Sequence, residues 1–274
     1  MKLLVIGNPI KHSRSPLIHN YWLKQKKLNH LYEKKLTEIK DLQNVVLDLK
    51  NDKLKGVNVT LPFKNEIIKY CDEVEDNARN TGAINTLYKK NNKIIGANTD
   101  GVGFLSSLKI QTKIILDNSK VFVVGAGGSA RGILFEIIKE PISEITICNR
   151  TREKSIRLKK DLNKIYKTKL IKIQNWKKRT VPNGYNLIVN TTSFGMKREE
   201  NLNIDLSNIQ EKSIVCDIIY DPQETLFLKK AKKMNHQVIN GSSMLIHQAA
   251  ESFKRWFNIT VTKEEMLTAK KLIT

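Results

Sequence analysis

A lysine and an aspartate each follow a short apolar run and could act together on one substrate. Lys64 comes after the run 56–61 and Pro62, and Asp100 comes after the run 93–97. Ligands bind at the carboxyl edge of open α/β sheets, so two such strand ends can converge on one cleft. An ammonium group beside a carbonyl oxygen favours its reduction, and a carboxylate can orient both. On their types alone, Lys64 could equally be a surface lysine and Asp100 a turn residue.

Two further pairs of polar side chains could bind the same substrate. Asn58 and Thr60 are two residues apart in one run, so they would point to the same face of a strand. Ser13 and Ser15 lie in a loop that ends at Pro16, and their hydroxyls suit a carboxylate. Either serine could instead cap the helix that Pro16 introduces.

A glycine-rich segment that directly follows an apolar run predicts a dinucleotide site. The run 121–124 leads into Gly125, Ala126, Gly127, Gly128, Ser129 and Ala130, a G-x-G-x-x-A pattern at the start of a helical segment. Gly125 permits a tight turn, Gly127 lets the backbone approach a pyrophosphate, and Ala130 keeps the helix close to the sheet. The phosphates would lie at the helix N-terminus. The alternative is a structural turn.

The tip of the next strand indicates which dinucleotide binds. NAD-binding proteins usually carry an acid about 20 residues after the glycines, whereas NADP-binding proteins place an arginine there. Here the run 145–148 ends in Asn149, Arg150 and Thr151, with Lys154 one turn later and no acid at the tip. Arg150 can hold a phosphate, and Thr151 can donate a hydroxyl and cap the next helix. The segment predicts NADP(H), against the alternative of a solvated basic helix start.

Apolar runs alternate with amphipathic stretches along the chain, which predicts an α/β fold. The predicted strands are 3–6, 32–36, 56–61, 83–87, 93–97, 120–124, 144–148, 170–173, 185–190, 213–218 and 237–239. The predicted helices are 17–28, 39–49, 63–70, 129–138, 151–166, 223–234, 243–257 and 262–272. The polar residues 89–92 suit a hairpin turn. A first domain ends near residue 100, and a doubly wound second domain follows.

The bulk composition limits the other classes of protein. The chain has 274 residues, of which 40% are hydrophobic and 27% charged, as in globular proteins. Its three cysteines predict no disulfide framework and fit the cytoplasm, and no apolar run is long enough to span a membrane. The net charge of +21 permits a nucleic-acid partner, but the lysines are scattered along helix faces, so none is expected. The five histidines show no metal-site spacing.

Eight motifs, in order along the chain, resemble the shikimate dehydrogenase family. They are Ser13-Arg14-Ser15, Asn58-Val59-Thr60-Leu61-Pro62-Phe63-Lys64, Gly82-Ala83-Ile84-Asn85-Thr86, Asn98-Thr99-Asp100-Gly101, Gly125-Ala126-Gly127-Gly128, Asn149-Arg150-Thr151, Asn190-Thr191-Thr192-Ser193-Phe194-Gly195-Met196 and Met244-Leu245-Ile246-His247-Gln248-Ala249. One departure is Asn240-Gly241, where the family usually has Asp-Gly.

The resemblance implies reversible reduction of 3-dehydroshikimate to shikimate by NADPH, with Lys64 and Asp100 as the catalytic pair. An NAD-dependent quinate/shikimate dehydrogenase is the alternative, and a nucleic-acid-binding Rossmann protein is a remote one. Ser13 and Ser15 would hold the substrate carboxylate. The residues implied to bind ring hydroxyls are Asn58, Thr60, Asn85, Asp100 and Gln248, with Tyr220 near the substrate. Those implied beside the nicotinamide are Thr191, Thr192, Ser193, Gly241 and Met244.

The resemblance also implies how the chain is divided. Residues 1–100 and about 242–274 would form a discontinuous substrate domain, because the C-terminal helices return to the first domain. Residues 101–241 would form the Rossmann domain that binds NADP. The sequence leaves a monomer and a homodimer equally open, since it shows no heptad seam or self-pairing edge.

Overall fold

The computed structural model describes residues 1–112, 114–197 and 202–274. The chain divides into two compact units: Met1–Gly103 together with Leu245–Thr274 form the first, and Phe104–Met244 forms the second. The helices are α1 (Ser15–Gln25), α2 (Leu42–Lys50), α3 (Asp76–Thr81), α4 (Asp100–Thr112), α5 (Gly128–Ile137), α6 (Arg152–Tyr166), α7 (Leu226–Lys233), α8 (Ser242–Phe257) and α9 (Lys263–Ile273), with 3-10 turns at Ile39–Asp41 and Glu66–Tyr70. Both divisions between the units fall within helices, namely α4 and α8.

The first unit is built on a six-stranded mixed sheet. Its strands are β1 (Lys2–Gly7), β2 (Leu31–Leu36), β3 (Leu54–Val59), β4 (Glu73–Val74), β5 (Thr86–Lys90) and β6 (Lys93–Ala97), in the order β2-β1-β3-β5-β6-β4. Strand β1 pairs in parallel with β2 and β3, whereas β5 is antiparallel to β3 and β6. Asn91 and Asn92 join β5 to β6 with φ of 50° and 59°, the left-handed conformation that a two-residue hairpin turn needs.

Alternate residues of the central strand β1 enter the two hydrophobic cores of this unit. Leu4 and Ile6 pack with α2 on one face of the sheet. Leu3 and Val5 pack on the other face with α1, α8 and α9. The C-terminal helices therefore return to the first unit, as the resemblance implies, because their apolar faces complete its second core.

The second unit is built on a six-stranded sheet in which every pair is parallel. Its strands are β7 (Lys120–Val124), β8 (Glu144–Cys148), β9 (Ile171–Gln174), β10 (Leu187–Asn190), β11 (Ile214–Asp217) and β12 (Gln237–Ile239), in the order β12-β11-β10-β7-β8-β9. Helices α5 and α6 cover one face, and α7 covers the other. This is the doubly wound order, with its switch point between β7 and β10. The predicted α/β class and the doubly wound domain are confirmed.

Two predicted elements are misplaced and three elements were missed. The segment 63–70 is a turn and a 3-10 helix, in which the carbonyl of Lys64 accepts a hydrogen bond from the distant Ile84 N (2.7 Å). The strand predicted at 83–87 lies at Thr86–Lys90. Strand β4 and helices α3 and α4 were not predicted; the first residues of α4 are mostly buried, including the polar Asp100, so its sequence lacks the alternation of apolar and polar faces that marks a surface helix. None of the described helices has the length and apolarity of a membrane span.

Candidate active site

Lys64 and Asp100 form an ion pair in the first unit. Lys64 lies in the turn after β3, and Asp100 is the first residue of α4, just after β6. Lys64 Nζ donates to Asp100 Oδ2 over 2.6 Å, and the two side chains are 13% and 8% exposed. A charge pair this little exposed is poorly screened, so each group strongly constrains the other. The structure thus brings together the two residues that were predicted to react.

The other oxygen of Asp100 is held by an amide. Asn85 Nδ2 donates to Asp100 Oδ1 over 2.8 Å and to Thr99 Oγ1 over 2.9 Å. Gln248, on α8, accepts from the same Nδ2 at 3.3 Å and from Thr99 Oγ1 at 3.4 Å. Helix α8 comes this close because Gly103 has no side chain: a Cβ there would lie 2.6 Å from Gln248 N.

Asn58 lies in a second buried cluster beside the first. Its Nδ2 contacts Asn85 O at 2.9 Å, Ser252 Oγ at 3.1 Å and Thr86 Oγ1 at 3.2 Å. Its Oδ1 accepts a hydrogen bond from the Tyr32 hydroxyl over 2.7 Å. Burial raises the pKa of Tyr32 well above its ordinary value, although a hydrogen bond with the Ser15 side chain opposes this. Tyr32 therefore links the loop at Ser15 to Asn58.

The predicted carboxylate-binding loop lies at the start of α1. Ser15 is buried as the first residue of the helix, and its backbone N–H donates to Ser13 Oγ over 3.4 Å. Thr60 is half-buried immediately after β3. These residues belong to the same unit as Lys64.

The glycine-rich loop joins β7 to α5 in the second unit. Gly125 has a φ of +114°, and a Cβ on it would lie 2.3 Å from Thr191 Oγ1, so only glycine fits this turn. At Gly127 and Gly128 an added Cβ would meet nothing within 4 Å among the described residues beyond their own stretch of chain. Helix α5 begins here with no side-chain cap. Uncapped N–H groups at a helix start that is free of side chains suit a pyrophosphate. Ser129 and the buried Ala130 continue the helix.

The predicted 2′-phosphate residues follow β8. Arg150 and Lys154 are exposed, and Asn149 Nδ2 donates to Thr151 O over 2.7 Å, which shapes the loop. Thr151 stands at the cap position of α6, but its side chain makes no capping bond, so the predicted hydroxyl cap is wrong. Its backbone ψ of 102° sets the entry into the helix without that bond. The exposed guanidinium remains suited to a phosphate.

The segment after β10 is held by a buried carboxylate. Thr191 Oγ1 donates to Val124 O over 2.7 Å, and Thr192 Oγ1 donates to Asn190 Oδ1 over 2.7 Å, while Ser193 is exposed. Asn190 Nδ2 donates in turn to Asp217 Oδ1 over 3.0 Å. Burial raises the pKa of Asp217 to about 6, against the hydrogen bonds that it accepts.

The remaining predicted residues lie near the end of the second unit. A Cβ on Gly241 would lie 1.9 Å from Ile218 O, so this close approach requires glycine. Asn240, the departure from the family pattern, donates from Nδ2 to Gln223 O over 3.0 Å and accepts from Ser242 Oγ over 2.6 Å. Met244 is half-buried on α8, and Tyr220 is half-buried after β11. Tyr220 belongs to the second unit, unlike the other predicted substrate residues.

Sequence reasoning missed several members of these clusters. Tyr32, Ser252 and Asp217 were not proposed as site residues, although each is buried and hydrogen-bonded to a member of a predicted motif. For Ser252 a signal existed, because it lies four residues after Gln248 and so on the same face of α8. The sequence carried no such signal for Tyr32, because the residues of β2 do not show that this strand pairs with β1.

The doubly wound second unit has a glycine-rich turn at its first strand, and the first unit holds a lysine–aspartate pair. This combination is that of a dinucleotide-dependent oxidoreductase. Three family models match the chain: the shikimate dehydrogenase substrate binding domain over residues 5–87, shikimate/quinate 5-dehydrogenase over 108–218, and the shikimate 5′-dehydrogenase C-terminal domain over 241–269.

Individual relatives agree over nearly the full chain. The NADP-dependent shikimate dehydrogenase of Pelagibacter ubique is 41% identical, over 93% of this chain and 93% of that one. A solved shikimate dehydrogenase in complex with NADP⁺ is 37% identical, with a TM-score of 0.89 over 100% and 96% of the two chains. The solved Thermus thermophilus enzyme in complex with NADP(H) and shikimate is 27% identical, with a TM-score of 0.88 over 100% of both chains. The chain belongs to the shikimate dehydrogenase family.

Proposed function

We propose that this chain reversibly reduces 3-dehydroshikimate to shikimate with NADPH. The observation that carries the proposal is the ion pair of Lys64 with Asp100, held by Asn85 in a site where polar side chains also come from β3 and α8. The family relationship supports the same reaction, because the relatives carry that activity in their names. The first unit is then the substrate domain, and the second is the NADP-binding domain.

Lys64 and Asp100 carry out the proton chemistry in this proposal. NADPH, when bound, supplies the hydride to the carbonyl carbon. Negative charge then develops on the carbonyl oxygen, and the Lys64 ammonium stabilises it electrostatically. The pair delivers the proton to this oxygen, while Asn85 keeps the Asp100 carboxylate in a fixed orientation. In the oxidation direction the same pair removes the proton.

The substrate would be held by the remaining polar residues of the first unit. Ser13 and Ser15 bind the carboxylate, because their hydroxyls lie two residues apart at the start of α1. Ring hydroxyls are bound by Asn58, Thr60, Asn85 and Gln248, with Tyr220 of the second unit near the substrate. Hydrogen bonds to a polyhydroxylated ring discriminate strongly against analogues that lack a hydroxyl, because unpaired buried groups are costly.

The residues of the second unit fit NADP. The open space at Gly127 and Gly128 leaves room for a pyrophosphate at the α5 N-terminus, with Ala126 and Ser129 beside it. Arg150, Thr151 and Lys154 would bind the 2′-phosphate, with Asn149 shaping their loop. Thr191, Thr192, Ser193, Gly241 and Met244 would lie beside the nicotinamide. The NAD-dependent alternative is not favoured, since no acid stands at the tip of β8 and the relatives are named for NADP.

We further propose a cytoplasmic location, which the three free cysteines, Cys71, Cys148 and Cys216, support. Independence from nucleic acid is supported by lysines that pair with neighbouring acids, such as Lys139, just after α5, with Glu136 at 2.7 Å. A monomer and a homodimer both remain compatible with the fold.

The test is a direct assay. Purified protein is mixed with 3-dehydroshikimate, and consumption of NADPH and of NADH is followed by absorbance. We expect turnover with a kcat/KM that is higher for NADPH, and oxidation of shikimate in preference to quinate with NADP⁺. A well-folded protein without activity on 3-dehydroshikimate would refute the proposal, and preference for NADH with equal rates on quinate would support the alternative.

A further inference from the structure

The hydrogen-bonding capacity of Asn58 is almost fully used inside the protein. An amide NH₂ group has two hydrogens, and Asn58 Nδ2 already has three acceptors around it: Asn85 O, Ser252 Oγ and Thr86 Oγ1. The side chain is buried, with 7% of the residue exposed. Asn58 therefore has no donor left for a ligand.

One lone pair of the amide oxygen remains. Asn58 Oδ1 accepts from the Tyr32 hydroxyl over 2.7 Å, and a carbonyl oxygen can accept two hydrogen bonds. A substrate that contacts Asn58 must then donate to this oxygen. A hydroxyl group can do so, whereas a keto group or an ether cannot.

The Asn85 carbonyl and the Tyr32 hydroxyl together hold the amide in one orientation. If the Asn58 amide were reversed, its oxygen would face the carbonyl oxygen of Asn85, which is repulsive, and the Tyr32 hydroxyl would lose the acceptor to which it now donates. Tyr32 itself is held rigidly: it is 1% exposed, and its ring stacks on His19 with centroids 4.3 Å apart.

We propose that Tyr32 is a positioning residue of the substrate site, whose hydroxyl, together with the Asn85 carbonyl, holds Asn58 as a hydrogen-bond acceptor and makes this subsite selective for a substrate hydroxyl. The inference rests on the proposed function, because Asn58 is a substrate residue only if the first unit binds shikimate. Tyr32 acts through Asn58 and needs no contact with the substrate.

The test removes one oxygen atom. Tyr32→Phe keeps the ring stacked on His19 but leaves Asn58 Oδ1 without its buried donor. We expect KM for shikimate to rise about tenfold, as the loss of one well-placed hydrogen bond implies. We expect kcat to change less than about twofold and KM for NADP⁺ to stay constant, because Tyr32 holds a binding group and not the reacting pair.

A double-mutant cycle shows whether the effect passes through Asn58. In an Asn58→Ala background, adding Tyr32→Phe is expected to raise KM for shikimate less than about twofold, since the amide that Tyr32 orients is gone. Tyr185→Phe is the matched control: it also removes a buried hydroxyl with protein partners, but in the second unit. It should leave KM for shikimate unchanged.

The possible failures can be told apart. If the wild-type protein does not turn over 3-dehydroshikimate, the proposed function is wrong and the role of Tyr32 falls with it. If the wild type is active, three results each overturn the role of Tyr32 alone: an unchanged KM in Tyr32→Phe, an equal tenfold effect in the Asn58→Ala background, or an equal rise in KM for NADP⁺.

Discussion

Asn85 Nδ2 lies 2.8 Å from Asp100 Oδ1, which leaves the other oxygen of this carboxylate to Lys64. Each oxygen of Asp100 thus has its own donor, so the carboxylate cannot rotate without losing one of them. Asn85 directly precedes β5 and Asp100 follows β6 by three residues, so the pairing of these strands, with Thr86 opposite Ala97, brings the two residues close together. The pairing of β5 with β6 therefore helps to fix the orientation of the ion pair.

Removal of the lysine should abolish most catalysis without weakening cofactor binding. In Lys64→Ala, kcat is expected to fall by about 10²- to 10⁴-fold, the usual contribution of a positioned proton donor. The NADPH dissociation constant should not change, because the proposed cofactor residues lie in the second unit. The measurement combines steady-state kinetics with NADPH fluorescence titration. Lys69→Ala, which removes an exposed lysine five residues later, is the control, and a near-normal kcat in Lys64→Ala would refute the catalytic role.

The reacting pair could be predicted from the sequence, but its surroundings could not. Local patterns place Lys64 and Asp100 at strand ends, and parallel sheets gather such ends at one edge. The contact of Gln248 with Thr99 depends on how closely α8 approaches α4, and this distance is set by Gly103. Such packing joins segments that are far apart in sequence. Neither segment carries a pattern of apolar residues that would reveal the contact.

The misplaced elements have the same origin. The segment 63–70 contains apolar residues at helical spacing, yet Lys64 O bonds to Ile84 N, a partner 20 residues away. Tertiary hydrogen bonds of this kind override local propensity. In the second unit the prediction was closer, because buried parallel strands are continuous apolar runs whose identity depends little on their neighbours.

Substitution of Gly127 should separate cofactor binding from folding. Gly127→Ala introduces a methyl group that no described atom outside its own stretch of chain would approach within 4 Å, at an ordinary φ of −85°. The free energy of unfolding should change by less than about 1 kcal/mol. Affinity for NADP⁺ should fall about tenfold or more, because the methyl group occupies the approach of the pyrophosphate. Thermal unfolding and titration with NADP⁺ measure the two effects.

Gly125→Ala provides the contrasting variant. Its Cβ would lie 2.3 Å from Thr191 Oγ1 at a φ of +114°, so it should destabilise the protein by about 1–3 kcal/mol even without cofactor. If Gly127→Ala instead lowered stability as much as Gly125→Ala and bound NADP⁺ normally, the pyrophosphate site would have to lie elsewhere.

Arg150 should determine the preference for NADP over NAD. Arg150→Ala is expected to lower kcat/KM for NADPH by about tenfold or more, because a guanidinium–phosphate bond is charge-assisted. The kcat/KM for NADH should stay within about twofold of the wild-type value, since NADH has no 2′-phosphate. Arg157→Ala, an exposed arginine on the outer part of α6, serves as the control. Equal losses with both cofactors would show that Arg150 does not contact the 2′-phosphate.

His19 should make the first unit sensitive to acid. Its ring is 1% exposed among Trp22, Tyr32, Phe253 and Trp256, and among the described residues neither ring nitrogen has a hydrogen-bond partner. Burial lowers the pKa of His19 from 6.5 to about 3. Between these values the unfolded chain binds a proton that the folded protein does not bind. The free energy of unfolding is therefore unaffected by His19 above pH 6.5. As the pH falls from 6.5 towards 3, protonation of His19 in the unfolded chain lowers it by about 1.4 kcal/mol per pH unit.

His19→Phe should remove this acid sensitivity. Phenylalanine keeps an aromatic ring in the cluster and has neither a proton to bind nor an unpaired nitrogen to bury. We compare the free energy of unfolding of the variant with that of the wild type at two pH values. The difference in favour of the variant should be about 2 kcal/mol larger at pH 5 than at pH 7.5. Urea unfolding followed by tryptophan fluorescence measures the difference, because Trp22 and Trp256 both lie in this cluster. His12→Phe, at an exposed histidine, is the control. A difference between His19→Phe and wild type that is the same at both pH values would show that His19 is protonated as readily in the folded protein as in the unfolded chain.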